Sequence, residues 1–206
     1  QGIATSYLQI FSEQLQIPVN QLKVVQGDTD LVEGHGSVGS RSLFVGGNAI
    51  LRGIEDFLEE CKQLAASELE ASVEDLEYHQ GDFQVKGTRV GIGIFDLCSR
   101  QSGNSISVKR KKELTGRSWP NGCHVAEVEI DAETGEVRLD RYVSVDDVGN
   151  TVNPMIVHGQ VQGGIASGLG QAVLERTEYD ASGQLLSGSY MDCLLYTSDA
   201  ADDELG

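Results

Sequence analysis

The chain has 206 residues, a formal net charge of −17 at pH 7, 39% hydrophobic residues and 25 glycines. That length allows one large or two small domains with a real core. The negative charge argues against direct nucleic-acid binding, which needs a basic face. No apolar run approaches the ~18–20 residues that span a bilayer, and the chain does not start with a signal-peptide pattern. Its four cysteines form no C-x-x-C pair, which predicts reduced thiols in a cytoplasmic protein.

Apolar spacing predicts the elements of the first half. Ile3, Leu8, Phe11 and Leu15 share one face of a predicted helix over residues 3–16, which Pro18 follows. The next elements, in order, are a strand over residues 21–28, a helix that reaches about residue 70, a capped turn over 72–75 and a hairpin over 76–87 around Gly81 and Asp82. Cys61 falls on the core face of the long helix.

The second half combines helices with a long hairpin. The predicted elements, in order, are a short helix over residues 92–99, a polar connection over 100–118, a hairpin over 124–149 that turns at 133–135, a glycine-rich helix into 175 and a strand over 185–192. Cys123 is expected in the loop before the hairpin. This order favours an α+β fold, with helices on mixed or antiparallel sheets, over a repeating βαβ arrangement.

The last fourteen residues differ in character from the rest. The stretch CLLYTSDAAD, residues 193–202, resembles the translation of a transposon-type sequencing adapter. We therefore expect three regions: residues 1–118, residues 119–192, and a non-native tail over 193–206. We expect no functional contribution from this tail.

A glycine- and serine-rich segment, GHGSVGSRS over residues 34–42, precedes the long helix. Residues 34–39 match the G-x-G-x-x-G pattern, but eight residues separate them from the predicted strand, whereas a dinucleotide-binding loop follows its strand directly. Backbone amides, hydroxyls and a helix N-terminus suit a phosphate group. The alternative is a structural turn whose serines cap the helix. His35 is interpreted as a loop donor rather than a metal ligand.

A second glycine cluster occurs around residues 159–170, and glycine within a helix is unfavourable. It favours close approach of another group to the backbone, with close helix packing as the alternative. Asp146 and Asp147 form an adjacent carboxylate pair, but neighbours in a strand point to opposite faces and would not converge on one ion. We predict no metal-ligating side chains.

Four motifs together resemble a known family. They are GDTD, GSVGSRS, PNGCHVAEVEIDAETGEV and VDDVGNTVNPMIVHGQVQGGIASGLGQAV, in this order within residues 1–192. The chain resembles the large subunit of the xanthine dehydrogenase and aldehyde oxidase family, which includes aerobic carbon monoxide dehydrogenases. The resemblance implies part of the molybdopterin-binding domains of a molybdenum hydroxylase, with the cytosine dinucleotide form of the cofactor.

The resemblance also implies individual cofactor-binding residues. Gln1 would hydrogen-bond around the metal and the pterin, and Gly39 would leave room beside the molybdenum. The other implied cofactor-binding residues are Ser37, Ser40, Ser42, Gly164, Ser167 and Gly168. Ser167 departs from the family pattern, which commonly has glutamine before Gly-Leu-Gly; its shorter side chain would reach the cofactor through a water.

The implied reaction is oxidative hydroxylation of a small molecule, with a glutamate as general base. In the family that glutamate lies in a Gly-x-Gly-Glu motif, which we expect beyond this chain, so the chain alone should be inactive. Electrons would leave through iron–sulfur and FAD centres on partner domains or subunits of a hetero-oligomer. The substrate stays open among aldehydes, purines, other N-heterocycles and carbon monoxide. Two alternatives are a flavin- or NAD-binding domain and a non-catalytic cofactor-binding or assembly protein.

Overall fold

The structure is a computed structural model that describes residues 1–32, 34, 36–110 and 118–192. The chain divides into two compact units. The first unit contains residues 2–119, and the second contains Gln1 and the chain from Pro120 onward. Helices and short antiparallel sheets alternate irregularly along the described chain, which confirms the α+β class.

Two helices pack together in the first unit. Helix α1 spans Ile3–Leu15 and helix α2 spans Ser42–Glu68. Apolar residues at helical spacing give each helix one hydrophobic face, and these faces meet in the core. Gln16 ends α1 in the left-handed conformation, with φ of 51°, just before Pro18.

A three-stranded antiparallel sheet and a short helix complete the first unit. The strands are β1 (Leu76–His79), β2 (Asp82–Val85) and β3 (Gly91–Gly93), in the order β1-β2-β3. Helix α3 follows directly over Ile94–Arg100. Gln80 and Gly81 form the two-residue turn between β1 and β2, both with positive φ, which matches the right-handed twist of a hairpin.

The buried hydrophobic residues that the structure describes all lie in the first unit. Among them Phe83, Leu97 and Cys61 are completely buried. The full set is Leu15, Ile17, Ile54, Cys61, Ala65, Ala66, Leu76, Phe83, Ile92, Ile94 and Leu97. This cluster joins both long helices to the three-stranded sheet, and it supplies the hydrophobic stabilisation of the unit.

The second unit consists of a long hairpin followed by a helix. Strands β4 (Asn121–Ile130) and β5 (Val137–Asp147) are antiparallel, and their register shifts between Glu127 and Val128. Helix α4 spans Pro154–Leu169 and continues into a single π turn. No residue of α4 or β4 is buried against the described residues.

The structure confirms most predicted elements: the helices near residues 3–16 and 42–70, both hairpins and the glycine-rich helix. The predicted strands over 21–28 and 185–192 are wrong. No strand in the described part of the chain pairs with the first, and the second has an isolated bridge and a 3-10 turn. A strand requires a hydrogen-bonded neighbour, which alternation alone does not supply.

Two smaller predictions need correction. Residues 92 and 93 belong to β3, and the predicted short helix starts only at Ile94. Cys123 lies inside β4 rather than in the preceding loop. The predictions for His35, for residues 111–117 of the polar connection and for the tail over 193–206 lie outside the described residues. Of the helices in the described part, none is long and apolar enough to cross a membrane.

Candidate functional site: the glycine- and serine-rich loop and helix α4

The loop before α2 has the backbone conformation that its glycines predict. Gly36 and Gly39 have φ of 69° and 61°, and Ser40 has φ of 52°. This left-handed region favours glycine. A Cβ atom placed on Gly34, Gly36 or Gly39 would meet no described atom within 4 Å. The loop therefore turns sharply and leaves open space beside its backbone.

The loop leads into the N-terminus of α2. The helix begins at Ser42, and the side chain of the preceding residue, Arg41, does not cap its first turn. Ser42 Oγ donates a hydrogen bond of 2.7 Å to Ser37 Oγ, across the loop. Its hydroxyl thus ties the loop to the helix instead of capping an amide. The first amides of a helix have no intrahelical acceptor and carry a partial positive charge, which suits an anionic group.

Helix α1 contacts the start of α2 through a tyrosine. Tyr7 Oη donates to the backbone oxygen of Ser42 over 2.9 Å. The hydroxyl is partly buried, and this desolvation raises the pKa of Tyr7 above its ordinary value. It therefore remains protonated, and a donor, at neutral pH. This contact could not be predicted from the sequence because 35 residues separate the two partners.

Helix α4 begins where its sequence predicts. Pro154 occupies the first helical position, and the Asn153 side chain accepts a hydrogen bond of 3.1 Å from the amide of Ile156. Added Cβ atoms at the four glycines of this helix would meet nothing within 4 Å among the described residues; the glycines are Gly159, Gly163, Gly164 and Gly168. Helix packing within the described chain therefore does not explain these glycines.

The structure places the expected cofactor-binding residues in two groups. The loop in the first unit holds Ser37, Gly39, Ser40 and Ser42 close together. The second unit contains Gln1, which is exposed ahead of α1, and the three exposed residues of α4: Gly164, Ser167 and Gly168. Both groups offer backbone amides, hydroxyls and uncovered glycine backbone, a donor set that fits a phosphate-bearing cofactor.

A hydrogen-bonded cluster on the β4–β5 hairpin was not predicted. His124 Nδ1 lies 3.0 Å from Tyr142 Oη, and His124 Nε2 lies 3.0 Å from Asp146 Oδ1. His124 is paired across the strands with Ser144, so Tyr142 and Asp146 are its diagonal neighbours on the same face. Counted from the turn without the register shift between Glu127 and Val128, His124 would lie opposite Val143, so the sequence did not indicate this cluster.

The adjacent carboxylates of the hairpin have different partners. Asp146 interacts with His124, whereas Asp147 Oδ1 accepts a 3.0 Å hydrogen bond from the amide of Gly149. Over residues 1–32, 34, 36–110 and 118–192, no group of three or more His, Cys, Asp or Glu side chains could hold a metal ion. The hairpin acids are thus engaged in local structure.

The family is established by a match along almost the whole chain. The model of the molybdopterin cofactor-binding domain matches residues 1–201. The chain therefore belongs to the molybdopterin cofactor-binding domain family.

Two curated relatives show the kind of protein in which this domain occurs. The chain is 32% identical over 207 aligned residues to the carbon monoxide dehydrogenase large chain of Hydrogenophaga pseudoflava, with 96% of this chain and 26% of that protein covered. It is 31% identical to the 6-hydroxypseudooxynicotine dehydrogenase complex subunit gamma of Paenarthrobacter nicotinovorans, with 95% and 26% covered. The chain thus spans about a quarter of the length of these relatives, 26% in each case.

Solved structures give the same result. The carbon monoxide-reduced Cu,Mo-CO dehydrogenase matches with a TM-score of 0.78 and 29% identity, over 94% of this chain and 26% of that chain. Quinoline 2-oxidoreductase from Pseudomonas putida 86 matches with a TM-score of 0.77 and 33% identity, again over 94% and 26%. These matches confirm the predicted resemblance to the molybdopterin-binding large subunits of molybdenum hydroxylases.

Proposed function

We propose that this chain supplies part of the molybdopterin site in the large subunit of a molybdenum hydroxylase, and that it binds the cytosine dinucleotide form of the cofactor. The observation that carries the proposal is the loop ahead of α2. Gly36 and Gly39 have positive φ and open space beside them, a hydrogen bond joins Ser37 to Ser42, and the loop lies at the N-terminus of a 27-residue helix. The family match along residues 1–201 supports the choice of molybdopterin.

Charge supports an anionic ligand at both glycine-rich segments. The chain contains 32 acidic residues, yet residues 34–54 and 148–174 contain none. Carboxylates near a phosphate would repel it, so their exclusion from these two segments favours binding of a pyrophosphate. The proposed contacts are amides and hydroxyls of Ser37, Ser40 and Ser42 from the loop, with Gly164, Ser167 and Gly168 from α4 and the amide side chain of Gln1.

The bound cofactor would supply the metal chemistry that hydroxylates an electron-poor carbon. The role of the chain's own residues is to bind and orient: hydroxyls and amides hold the phosphates, and Gly39 leaves room where a side chain would intrude. We propose that the general base is provided from outside this chain and that the chain alone is inactive. The substrate is a small aldehyde, an N-heterocycle or purine, or carbon monoxide.

We further propose that the protein works in the cytoplasm within a hetero-oligomer, with iron–sulfur and FAD centres on partner domains or subunits. Two relatives support this assembly, since one is named as a large chain and the other as subunit gamma of a complex.

The test compares two glycines with the same backbone requirement. Gly39 and Gly87 have φ of 61° and 71°, and neither has a described atom within 4 Å of an added Cβ. Gly39 lies in the loop, whereas Gly87 lies between β2 and β3. The chain and its Gly39→Val and Gly87→Val variants would be produced in a host that makes the cofactor. Co-purified molybdopterin would then be measured by the fluorescence of its oxidised form.

We expect the unaltered chain and Gly87→Val to retain molybdopterin, and Gly39→Val to lose at least about tenfold, the equivalent of one or two hydrogen bonds. An unaltered chain without molybdopterin, or one that carries flavin or a nicotinamide nucleotide in its place, contradicts the proposal. Equal losses in the two variants would assign the effect to backbone strain.

A further inference from the structure

We propose that Tyr7 is a positioning residue that fixes the glycine- and serine-rich loop in its binding conformation, an inference that rests on the proposed function. Tyr7 Oη donates to the Ser42 carbonyl over 2.9 Å, and Ser42 Oγ donates to Ser37 Oγ over 2.7 Å. Two consecutive contacts therefore connect α1, through the first residue of α2, to the middle of the loop.

A glycine in α2 makes the approach of Tyr7 possible. Gly46 lies one turn after Ser42, and a Cβ atom on it would be 1.9 Å from Tyr7 Oη and 2.5 Å from Tyr7 Cζ. Such distances are impossible, so any other residue at position 46 would displace the tyrosine ring. Glycine is unfavourable inside a helix. The Tyr7 contact gives a reason for its presence at this position.

The hydroxyl adds a contact without removing one. In an α-helix the carbonyl of the first residue accepts from the amide four residues later, and its second lone pair stays available. Tyr7 can use that second lone pair. The contact thus holds the start of α2 against α1 while the first helical amides remain free to face a ligand. Residues 36–41 are exposed, so ordering them costs conformational entropy that a pre-formed anchor reduces.

A second tyrosine provides a matched control. Tyr78 Oη donates to the backbone carbonyl of Leu15 over 2.6 Å, and both tyrosine bonds are partly buried side-chain-to-backbone contacts to a helix. The Tyr78 contact lies at the C-terminal end of α1, whereas Tyr7 contacts the start of α2. Tyr7→Phe and Tyr78→Phe therefore remove the same kind of bond, and only the first removes a contact to the cofactor loop.

The experiment measures amide hydrogen exchange over residues 36–46 and the molybdopterin retained by the chain. We expect Tyr7→Phe to exchange about fivefold to tenfold faster in this segment and to lose molybdopterin by a similar factor, as for one hydrogen bond. Tyr78→Phe should change neither quantity in this segment. Gly46→Ala should reproduce Tyr7→Phe, and adding Tyr7→Phe to it should change little more, because the contact is already broken.

The outcomes separate this inference from the proposed function. If the unaltered chain carries molybdopterin and Tyr7→Phe carries as much as Tyr78→Phe, the role of Tyr7 is overturned and the proposed function stands. If no variant carries molybdopterin, the proposed function fails, and with it the cofactor-related role of Tyr7. If Tyr7→Phe does not fold, Gly46→Ala decides, and unchanged exchange in that variant overturns the inference.

Discussion

The stability of this chain should depend on the core of the first unit, and Leu97 tests this directly. Leu97 is completely buried in α3 and belongs to the cluster that includes Phe83 and Cys61. Leu97→Ala removes three carbons, worth about 0.8 kcal/mol each in transfer free energy, and leaves a cavity. The expected loss in the free energy of unfolding is about 3–5 kcal/mol.

The comparison is a variant that shortens one exposed side chain on the hairpin of the second unit. Val145 in β5 is 69% exposed, so Val145→Ala should change the free energy of unfolding by less than about 0.5 kcal/mol. Leu97→Met provides a control that conserves volume and should cost less than about 1.5 kcal/mol.

Urea denaturation, followed by the helical circular dichroism signal, measures the free energy of unfolding of the 206-residue chain and of all three variants. The slope of the free energy of unfolding against urea concentration should stay unchanged in Leu97→Ala, since the variant alters stability and not the surface exposed on unfolding. A cost below about 1 kcal/mol for Leu97→Ala would refute the assignment of the core. A cost above about 1 kcal/mol for Val145→Ala would show that the hairpin face is buried in solution.

Two further predictions follow from burial in the same unit. Burial raises the pKa of Tyr78 from 10.0 to about 12, so its protonated hydroxyl stabilises the fold fully below pH 10 and this contribution is lost as pH rises towards 12. Between pH 10 and pH 12 the free energy of unfolding should therefore depend less on pH in Tyr78→Phe than in the unaltered chain. An equal dependence in the two proteins would contradict the raised pKa of Tyr78. Burial likewise raises the pKa of the Cys61 thiol to about 12, whereas Cys123 is exposed. Iodoacetamide should alkylate Cys123 before Cys61, as mass spectrometry of peptides would show, and early labelling of Cys61 would contradict its burial.

Helices and hairpins could be predicted from the sequence because their signals are local. The apolar spacing of residues 3–16 and the Gly81 and Gly135 turns specify structure within a few residues. The strand predicted over residues 21–28 was wrong because strand formation depends on more than local sequence. Alternation shows that a segment can be extended, but a strand also needs a partner, and this segment has none among the described residues.

The loop of the candidate site could also be predicted from composition, since glycine and serine show directly where the backbone is accessible. The contact that holds this loop could not. Tyr7 and Ser42 are 35 residues apart, and the Tyr7 hydroxyl reaches the Ser42 carbonyl only because α1 and α2 pack closely at Gly46. In the sequence alone, Gly46 is one more glycine in a helix.

Helix α4 gives the strongest argument that both glycine clusters have a binding role. In a helix, glycine is about 1 kcal/mol less favourable than alanine, so the four glycines of α4 lower its stability by several kcal/mol. Close approach of another group to the backbone would give a reason for this loss. Packing against other described residues does not explain the four glycines, because a Cβ atom added to any of them would meet no described atom within 4 Å. Residues 148–174, like residues 34–54, contain no acidic residue, which fits an anionic ligand. In a chain this acidic, solvent exposure of the helix alone would not explain their absence. Replacing Gly164 with alanine should therefore stabilise α4 while weakening molybdopterin retention, opposite effects that a purely structural glycine could not produce.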